Sequence, residues 1–211
     1  MTGGDMPGVR VRLRQWQRAD DLDSMAWPPY VDPLSGVWNL QRPPGVADVV
    51  WSTFGDPSIR RTWAIERTSD QRLIGRVSLR DIDVRRGSAR LGITLGQPFV
   101  SRGLGTEALE CFLGVFFEEL GGSGFQVLVL DVAAVNLRAV RCYDRLGFRY
   151  IASDWREAGG AFDATLLDSP AYVDRAQFFR RDAQRIYAEF YEMRLERAEW
   201  RARVAQERAR R

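Results

Sequence analysis

The segment FVSRGLGTEA, at residues 99–108, carries the spacing in this chain that points most directly to chemistry. Gly103, Gly105 and Ala108 form G-x-G-x-x-A, a pattern in which glycines let the backbone approach a pyrophosphate at the start of a helix. The apolar run FQVLVLD, at 125–131, then ends in an acid, as it does in dinucleotide-binding units. The loop therefore predicts either a nicotinamide or flavin site, or a site for another ligand that contains a pyrophosphate.

The elements that precede the loop favour the second interpretation. Alternating apolar residues predict a strand over 9–13, a hairpin of strands 62–67 and 73–83, and a further strand at 88–95. The stretch 27–44 is rich in Pro and Trp and is predicted to be an irregular loop. In a dinucleotide-binding unit the strand runs almost directly into the first glycine, whereas GQPFVSR intervenes here.

Helices predominate after the loop. Apolar residues at helical spacing predict a helix over 106–120 that Gly121 and Gly122 end. FQVLVLDV then predicts a central strand, and a second helix is expected between an N-cap at Asn136 and a terminating Gly147. FRYIASDW predicts another strand. The stretch IYAEFYEMRL fits a helix and a strand equally well.

The composition describes one globular domain, with 211 residues, of which 45% are hydrophobic and 28% charged. The core is predicted to span about residues 9–195, and the charged residues 196–211 are expected to form a helical tail. The net charge of +3 is too small to indicate DNA binding, and no run is long enough to span a membrane. The N-terminus lacks the apolar stretch of a signal peptide, so the expected location is cytoplasmic.

Two absences exclude whole classes of mechanism. The chain contains no histidine, and its 31 basic residues are all arginine. Without an imidazole there is no Ser-His-Asp or Cys-His chemistry, and without lysine there is neither a Schiff base nor a Walker-type phosphate loop. Cys111 and Cys142 have no metal-ligand spacing, so no metal is expected and both thiols are predicted to be buried and reduced.

Two motifs together resemble those of the GNAT acetyltransferases, and within them the Rim-type branch of ribosomal-protein N-acetyltransferases. The first motif is LGITLGQPFVSRGLGTEAL and the second is NLRAVRCYDRLGF, and the resemblance extends over nearly the whole chain. The superfamily often has Gln or Arg three residues before the first glycine of the loop, where this chain has Val100. The resemblance implies an α/β fold, with a mixed, mostly antiparallel central sheet flanked by helices and a splay between two central strands.

The resemblance also implies that acetyl-CoA is the co-substrate and that the glycine loop binds the pyrophosphate of coenzyme A. The backbone N–H groups of residues 102–106 and the dipole of the following helix would face the phosphates, and Arg102 would add a charged contact. The residues expected to bind the cofactor are Ile93, Thr94, Leu95, Arg102, Gly103, Leu104, Gly105, Thr106, Asn136, Ala139 and Tyr143.

The activity implied is acetyl transfer to a primary amine by direct attack in a ternary complex. Tyr143 matches the family's general acid, which protonates the departing thiolate. Trp27, Tyr30 and Trp38 lie in the segment that covers the acceptor site in relatives, and 157–174 is expected to form the opposite wall. The branch favours a protein N-terminal α-amine as acceptor, for example that of a ribosomal protein, while small-molecule amines stay open. Dimers are common in the branch, so a homodimer is a further expectation.

Several groups are candidates for the base that deprotonates the acceptor amine. In the absence of histidine, a carboxylate or a carboxylate-held water would serve, and Asp81 and Glu66 on the predicted hairpin are the candidates. Arg90 stands where many relatives have a glutamate. A reaction through the neutral fraction of the amine, with no dedicated base, is the alternative. Two other classes also stay open, an NAD(P)-dependent oxidoreductase and a non-catalytic module that binds acyl-CoA.

Overall fold

The computed structural model describes residues 6–7, 9–39, 60–120, 124–159 and 162–210. In these ranges the strands are β1 Met6–Pro7, β2 Val11–Gln15, β3 Arg61–Arg67, β4 Leu73–Asp83, β5 Ser88–Leu95, β6 Val127–Ala133, β7 Arg149–Glu157, β8 Phe179–Asp182 and β9 Arg185–Glu196. The α-helices are α1 Arg18–Met25, α2 Leu104–Gly114, α3 Leu137–Arg145 and α4 Arg197–Ala209. Short 3-10 turns lie at Pro33–Val37, Gln97–Phe99, Ala164–Asp168 and Val173–Phe178, and a π-helical turn, Val115–Glu119, continues α2.

All described strands belong to one sheet in the order β1-β2-β3-β4-β5-β6-β9-β7, and β8 pairs with β9 at the end. Every neighbouring pair is antiparallel except β5 and β6, which run parallel because α2 makes the crossover between them. This arrangement confirms the expected α/β fold, with a mixed, mostly antiparallel sheet flanked by helices.

The parallel pair separates partway along its length. β5 and β6 are in register only from Ser88 opposite Val127 to Leu91 opposite Leu130. Beyond that point β5 continues to Leu95 while β6 continues beside β9, so the two central strands diverge. The residues of β5 past Leu91 become half-buried in the middle of the sheet, whereas Leu91 itself is buried. The splay expected between two central strands is therefore present.

Side chains alternate along the strands, and they give the sheet one apolar face and one charged face. The apolar face is covered by α2, where the Trp63 and Phe112 rings meet at a centroid distance of 5.1 Å. Its buried strand residues include Val11, Leu13, Ile65, Val77, Leu79, Leu91, Leu128, Leu130, Met193 and Leu195. The strand registers place the following residues on the opposite face: Arg12, Arg14, Glu66, Arg76, Arg80, Arg90, Asp131 and Glu192.

The ambiguous stretch at 186–195 is a strand. As part of β9 it lies between β6 and β7, and its apolar residues alternate between Met193 and Leu195 in the main core and Ala188 in a second apolar cluster. The charged tail is helical, and Trp200 anchors it by stacking on Phe117 at 5.3 Å.

Other element boundaries differ slightly from the expected ones. The strand expected over 9–13 is β2, which starts at Val11 rather than at Val9, whose side chain is exposed. α2 begins at Leu104, directly after the glycine loop, two residues before the expected start. The loop residues 40–44 and the helix-ending Gly121 and Gly122 lie outside the described residues. No helix in the described ranges is long and apolar enough to cross a membrane.

Candidate active site

The glycine loop forms a tight approach to α2. Ser101 and Gly103 both adopt left-handed backbone conformations, with φ of 60° and 77°, and Gly103 is the N-cap of the helix. The Glu107 N–H donates to the Gly103 carbonyl at 3.1 Å, so the preceding N–H groups of Leu104, Gly105 and Thr106 have no partner within the helix. These groups and the helix dipole make the loop a binding site for an anion.

The end of β5 presents a free edge to the splay, that is, a backbone edge that pairs with no other strand in the described ranges. The Gly96 N–H donates to the Ile74 carbonyl at 2.9 Å, so the antiparallel alternation directs the backbone groups of Thr94 toward β4 as well. The backbone groups of Ile93 and Leu95 therefore face the side from which β6 has separated. Three residues on this strand are expected to contact the cofactor. Ile93 and Leu95 direct their N–H and C=O groups into the splay, whereas Thr94 directs its backbone groups toward β4.

Gly105 sets the distance between α2 and this free edge. A Cβ at position 105 would lie 3.0 Å from Leu95 Cδ1 and 3.9 Å from Ile93 Cδ1, so the glycine lets the helix approach β5 closely. Thr106 faces α3, where its hydroxyl lies 3.2 Å from the Cys142 sulfur. Its side chain is therefore engaged between the two helices, while its N–H stays at the helix start.

The second motif forms the start and the buried face of α3. Asn136 caps the helix, and its Oδ1 accepts from the Ala139 N–H at 3.3 Å, as predicted for an N-cap. Tyr143 is 7% exposed and packs edge-on against Phe148 at 5.7 Å. Its hydroxyl has no hydrogen-bond partner among the described residues. Burial raises the pKa of Tyr143, so the phenol stays protonated at neutral pH.

The segment from Trp27 to Val37 bridges the open end of the splay. The Tyr30 hydroxyl donates to the Leu95 carbonyl, and the Trp27 ring lies against Gly96, where a Cβ would be 2.9 Å from the indole. Farther along, Leu34 and Val37 pack with residues at the end of β6 in the second apolar cluster. We call residues 27–37 the strap, because it connects the ends of the two diverging strands.

Trp38 and the described parts of the 157–174 segment, residues 157–159 and 162–174, lie on the β6 side of the strap. Trp38 packs against the second apolar cluster, which also contains Leu167 from the 3-10 turn at 164–168. The Arg175 guanidinium donates to the Val135 carbonyl at 3.0 Å and ties the following turn to the start of α3. Trp27 and Tyr30 therefore lie at the end of β5, whereas Trp38 is placed near the end of β6.

The geometry does not favour either carboxylate expected to act as a base. Glu66 is 3% exposed, and Arg12 and Arg14 donate to its two oxygens. Burial alone would raise the pKa of Glu66, but the hydrogen bonds from Arg14 and Arg12 outweigh it and hold the pKa below its usual value. Asp81 is exposed in a left-handed conformation (φ 50°) near the end of β4, opposite the closed end of the splay.

An ion-pair cluster that sequence reasoning did not find lies on the charged face where β5 and β6 part. Asp131, the first β6 residue past the paired segment, accepts from Arg80 and Arg90 at 2.7 Å each and from Arg156 at 3.1 Å. Arg90 also donates to Glu192 at 2.8 Å. Burial favours the neutral acid, but the arginines outweigh it and lower the pKa of Asp131. We call these residues the Asp131 cluster.

Two arginines near the glycine loop also escaped sequence reasoning. Arg138, in the first turn of α3, has its Nη1 3.4 Å from the Ser101 hydroxyl. On the other side, Arg10 donates to the Arg102 carbonyl at 3.1 Å and is held by Glu107 at 2.8 Å. The chain has 31 basic residues, so composition alone could not distinguish these two. The signal that could have found Arg138 is its position two residues after the N-cap Asn136.

Comparison with known proteins places this geometry in one family. The sequence model of the acetyltransferase (GNAT) domain matches residues 10–149, well over half of the 211-residue chain. The chain therefore belongs to the GNAT acetyltransferase family. It is an N-acetyltransferase, and the oxidoreductase interpretation of the glycine loop is set aside. A search of the curated proteins found no matching sequence.

Solved structures of the same fold cover nearly the whole chain. A GCN5-related N-acetyltransferase from Brucella melitensis is 18% identical with a TM-score of 0.66, and the match covers 94% of this chain and 81% of that one. The spermidine N-acetyltransferase from Vibrio cholerae, in complex with CoA and spermine, is 18% identical with a TM-score of 0.62, covering 92% and 99%. At these identities the likeness establishes the fold.

Proposed function

We propose that this protein transfers the acetyl group of acetyl-CoA to a primary amine, by direct attack within a ternary complex. One observation carries the proposal: the free edge of β5 opens directly beside the unpartnered N-terminus of α2. A strand edge offers donors and acceptors to the amides of pantetheine, and a helix N-terminus attracts a pyrophosphate. Coenzyme A joins these two groups in one molecule.

Coenzyme A would bind with its pyrophosphate at the start of α2 and its pantetheine arm along the edge of β5. Its pyrophosphate would meet the N–H groups of residues 102–106, with Arg102 adding charge from the loop. Its pantetheine arm would pass between the edge of β5 at Ile93 and Leu95 and the start of α3, where Asn136 and Ala139 lie. An N–H of the β5 edge, directed at the thioester oxygen, would stabilise the developing oxyanion by about 3 kcal/mol.

Tyr143 is proposed to act as the general acid. Attack of a neutral amine on the thioester carbon forms a tetrahedral intermediate, and its collapse breaks the carbon–sulfur bond and releases a thiolate. The buried phenol donates its proton to that sulfur, the ammonium proton of the acceptor leaves to solvent, and solvent returns one proton to the phenolate before the next turnover. The raised pKa of Tyr143 keeps the phenol protonated at neutral pH, so its O–H is present to donate to the departing sulfur.

We propose that no dedicated carboxylate base takes part. Glu66 is held by two arginines, Asp131 by three, and Asp81 lies at the closed end of the splay. The reactive species is then the neutral fraction of the acceptor amine. The logarithm of kcat/KM should rise with pH at a slope near one and level off at the pKa of the acceptor itself, about 7.7–8.0 for an α-amine. A plateau that stays at one pH for acceptors of different pKa would instead reveal an enzyme base.

The acceptor is proposed to be a protein N-terminal α-amine, on the strength of the resemblance to the Rim-type branch. Trp27 and Tyr30 on the strap, and Trp38 beyond it, would contact the acceptor where it enters the splay. The fold neighbour that acts on spermidine makes a polyamine the second acceptor to assay. The chain contains no lysine, so acetyl label that appears on the enzyme cannot reside on a side-chain amine.

The test combines binding with turnover. Acetyl-CoA at about 100 times its dissociation constant should stabilise the fold by about 2.7 kcal/mol, whereas NAD and NADP should not. Tyr143→Phe should then retain that stabilisation and lose most of kcat in a thiol-release assay with peptide and amine acceptors. Tyr150→Phe, at a tyrosine that is 56% exposed on β7, is the matched control. A fully active Tyr143→Phe enzyme would remove the phenol from the mechanism.

A further inference from the structure

The exposed side of α3 carries three arginines in one line. Arg138, Arg141 and Arg145 are all exposed, and at 100° per residue they fall within about 60° of one another around the helix. We call them the arginine stripe. Cys142 lies next to them on the helix and contacts Thr106 of α2, so the stripe runs beside the groove between the two helices.

The stripe lacks carboxylate partners among the described residues. Within the described ranges, none of its three guanidinium groups forms an ion pair, and Arg138 makes one hydrogen bond to Ser101. By contrast, Arg10, on the other side of the loop, is neutralised by Glu107 at 2.8 Å. Asp144, the one carboxylate on α3, lies about 100° from Arg145 around the helix and faces the groove beside β7 and β9.

The position of the stripe relative to the glycine loop indicates an anion. Arg138 lies beside the loop at Ser101, and Arg145 is about 10 Å farther along the helix at 1.5 Å per residue. In coenzyme A, a single ribose ring separates the pyrophosphate from the 3′-phosphate. A pyrophosphate bound at the start of α2 would therefore bring the 3′-phosphate alongside the stripe, beyond Arg138.

We propose that Arg141 and Arg145 form a subsite for the 3′-phosphate of coenzyme A. The inference rests on the proposed function, because it assumes that the pyrophosphate occupies the glycine loop. A phosphate monoester carries a charge of about −1.5 to −2 at neutral pH and accepts paired hydrogen bonds from guanidinium groups. The subsite selects acetyl-CoA over its dephosphorylated form without touching the reacting atoms.

The experiment compares acetyl-CoA with acetyl-dephospho-CoA by isothermal titration calorimetry. The wild-type protein should bind acetyl-CoA at least tenfold more tightly, since a charged hydrogen bond is worth roughly 1.5–3 kcal/mol and tenfold corresponds to about 1.4 kcal/mol. The double variant Arg141→Gln/Arg145→Gln should reduce that ratio to about one to two, with an unchanged dissociation constant for the dephosphorylated form. Added salt should weaken the ratio in the wild type and leave it unchanged in the variant.

Arg85→Gln provides the control for the loss of a charge. Arg85 is exposed in the turn that precedes β5, at the opposite end of that strand from the glycine loop. This variant should keep the wild-type ratio. Equal affinity of the wild type for the two ligands, or an unchanged ratio in the double variant, would overturn the subsite while leaving the proposed function intact. If neither ligand binds the wild type, the proposed function itself fails.

An alternative ligand for the stripe is an anionic polymer such as RNA. The same variants decide between that polymer and the 3′-phosphate of coenzyme A. If the double variant loses affinity for a polyuridine oligonucleotide but keeps its discrimination between the two coenzyme A forms, the stripe is a nucleic-acid contact and the subsite is refuted. If discrimination disappears and the wild type does not bind the oligonucleotide, the assignment to the 3′-phosphate is supported.

Discussion

Two glycines at opposite ends of α2 should respond to the same substitution with opposite signs. Gly103 has φ of 77°, and the left-handed region costs a residue with a Cβ about 1–2 kcal/mol. Gly114 has φ of −56°, and an added Cβ there would meet no atom within 4 Å. Replacing a helical glycine with alanine stabilises by about 0.5–1 kcal/mol because it removes conformational freedom from the unfolded chain.

The expected changes are large enough to measure by thermal unfolding. For a chain of this length, 1 kcal/mol shifts Tm by about 2–4 °C. Gly103→Ala should therefore lower Tm by roughly 2–8 °C, with a further contribution because the new Cβ would lie 3.2 Å from Arg10 Nη2. Gly114→Ala should raise Tm by roughly 1–4 °C.

Calorimetry with acetyl-CoA separates stability from cofactor binding. Gly103→Ala should raise the dissociation constant, because a residue with a Cβ disfavours the left-handed conformation that shapes the loop. Gly114→Ala should leave it unchanged, since it lies at the other end of the helix. Two Tm shifts of the same sign would refute the reasoning from backbone conformation. A normal dissociation constant for a destabilised Gly103→Ala protein would show that the loop does not form the phosphate site.

Three further outcomes are expected from the same structure. Tyr30→Phe should tighten acetyl-CoA binding by about two- to tenfold in calorimetry, because the Leu95 carbonyl then no longer accepts a hydrogen bond from the phenol. Weaker binding would show that the hydroxyl assists the cofactor. Asp131→Asn should lower the free energy of unfolding by about 1–3 kcal/mol in urea titrations, since three guanidinium groups each lose one charged hydrogen-bond partner. An unchanged midpoint would refute that role. The pKa of Asp131 is lowered in the folded state, so its contribution to stability is complete above the unfolded value near 4 and is lost as the pH falls through the lower folded-state pKa. Wild type and Asp131→Asn should therefore converge in stability as the pH falls below about 4, and a constant difference would contradict the assignment.

Local patterns were sufficient to predict the elements on which the proposed cofactor site is built. Residues close together in sequence were enough to predict the strand β5. They also predicted the N-cap at Asn136 and the helix-ending Gly147, whose φ is 91°. The stretch at 186–195 could not be assigned because its apolar residues fit both periods. It is a strand because β6 and β7 flank it on both sides, and that context is tertiary.

The carboxylates could not be interpreted from sequence for a related reason. Glu66 and Asp131 are acids on strands near a predicted site. In sequence, a catalytic base and a member of a structural ion pair both give this pattern. The difference lies in their partners, which are distant in the chain: Arg12 and Arg14 for Glu66, and Arg80, Arg90 and Arg156 for Asp131. Single-sequence patterns carry no information on such pairings, although a chain with 31 basic residues makes arginine partners common.

The Asp131 cluster explains how the sheet tolerates the gap between β5 and β6. The hydrogen-bonded ladder between β5 and β6 ends at Leu91 and Leu130, and Asp131 is the next residue. Its arginine partners come from β4, β5 and β7, and Arg90 continues to Glu192 on β9, so charged contacts join five strands at the point where backbone bonds stop. Charge-assisted hydrogen bonds are stronger than backbone ones and can replace them across a wider separation, because the side chains supply the extra reach. The acid is thus engaged in holding the two strands at the splay, which agrees with the proposal that the enzyme uses no dedicated carboxylate base.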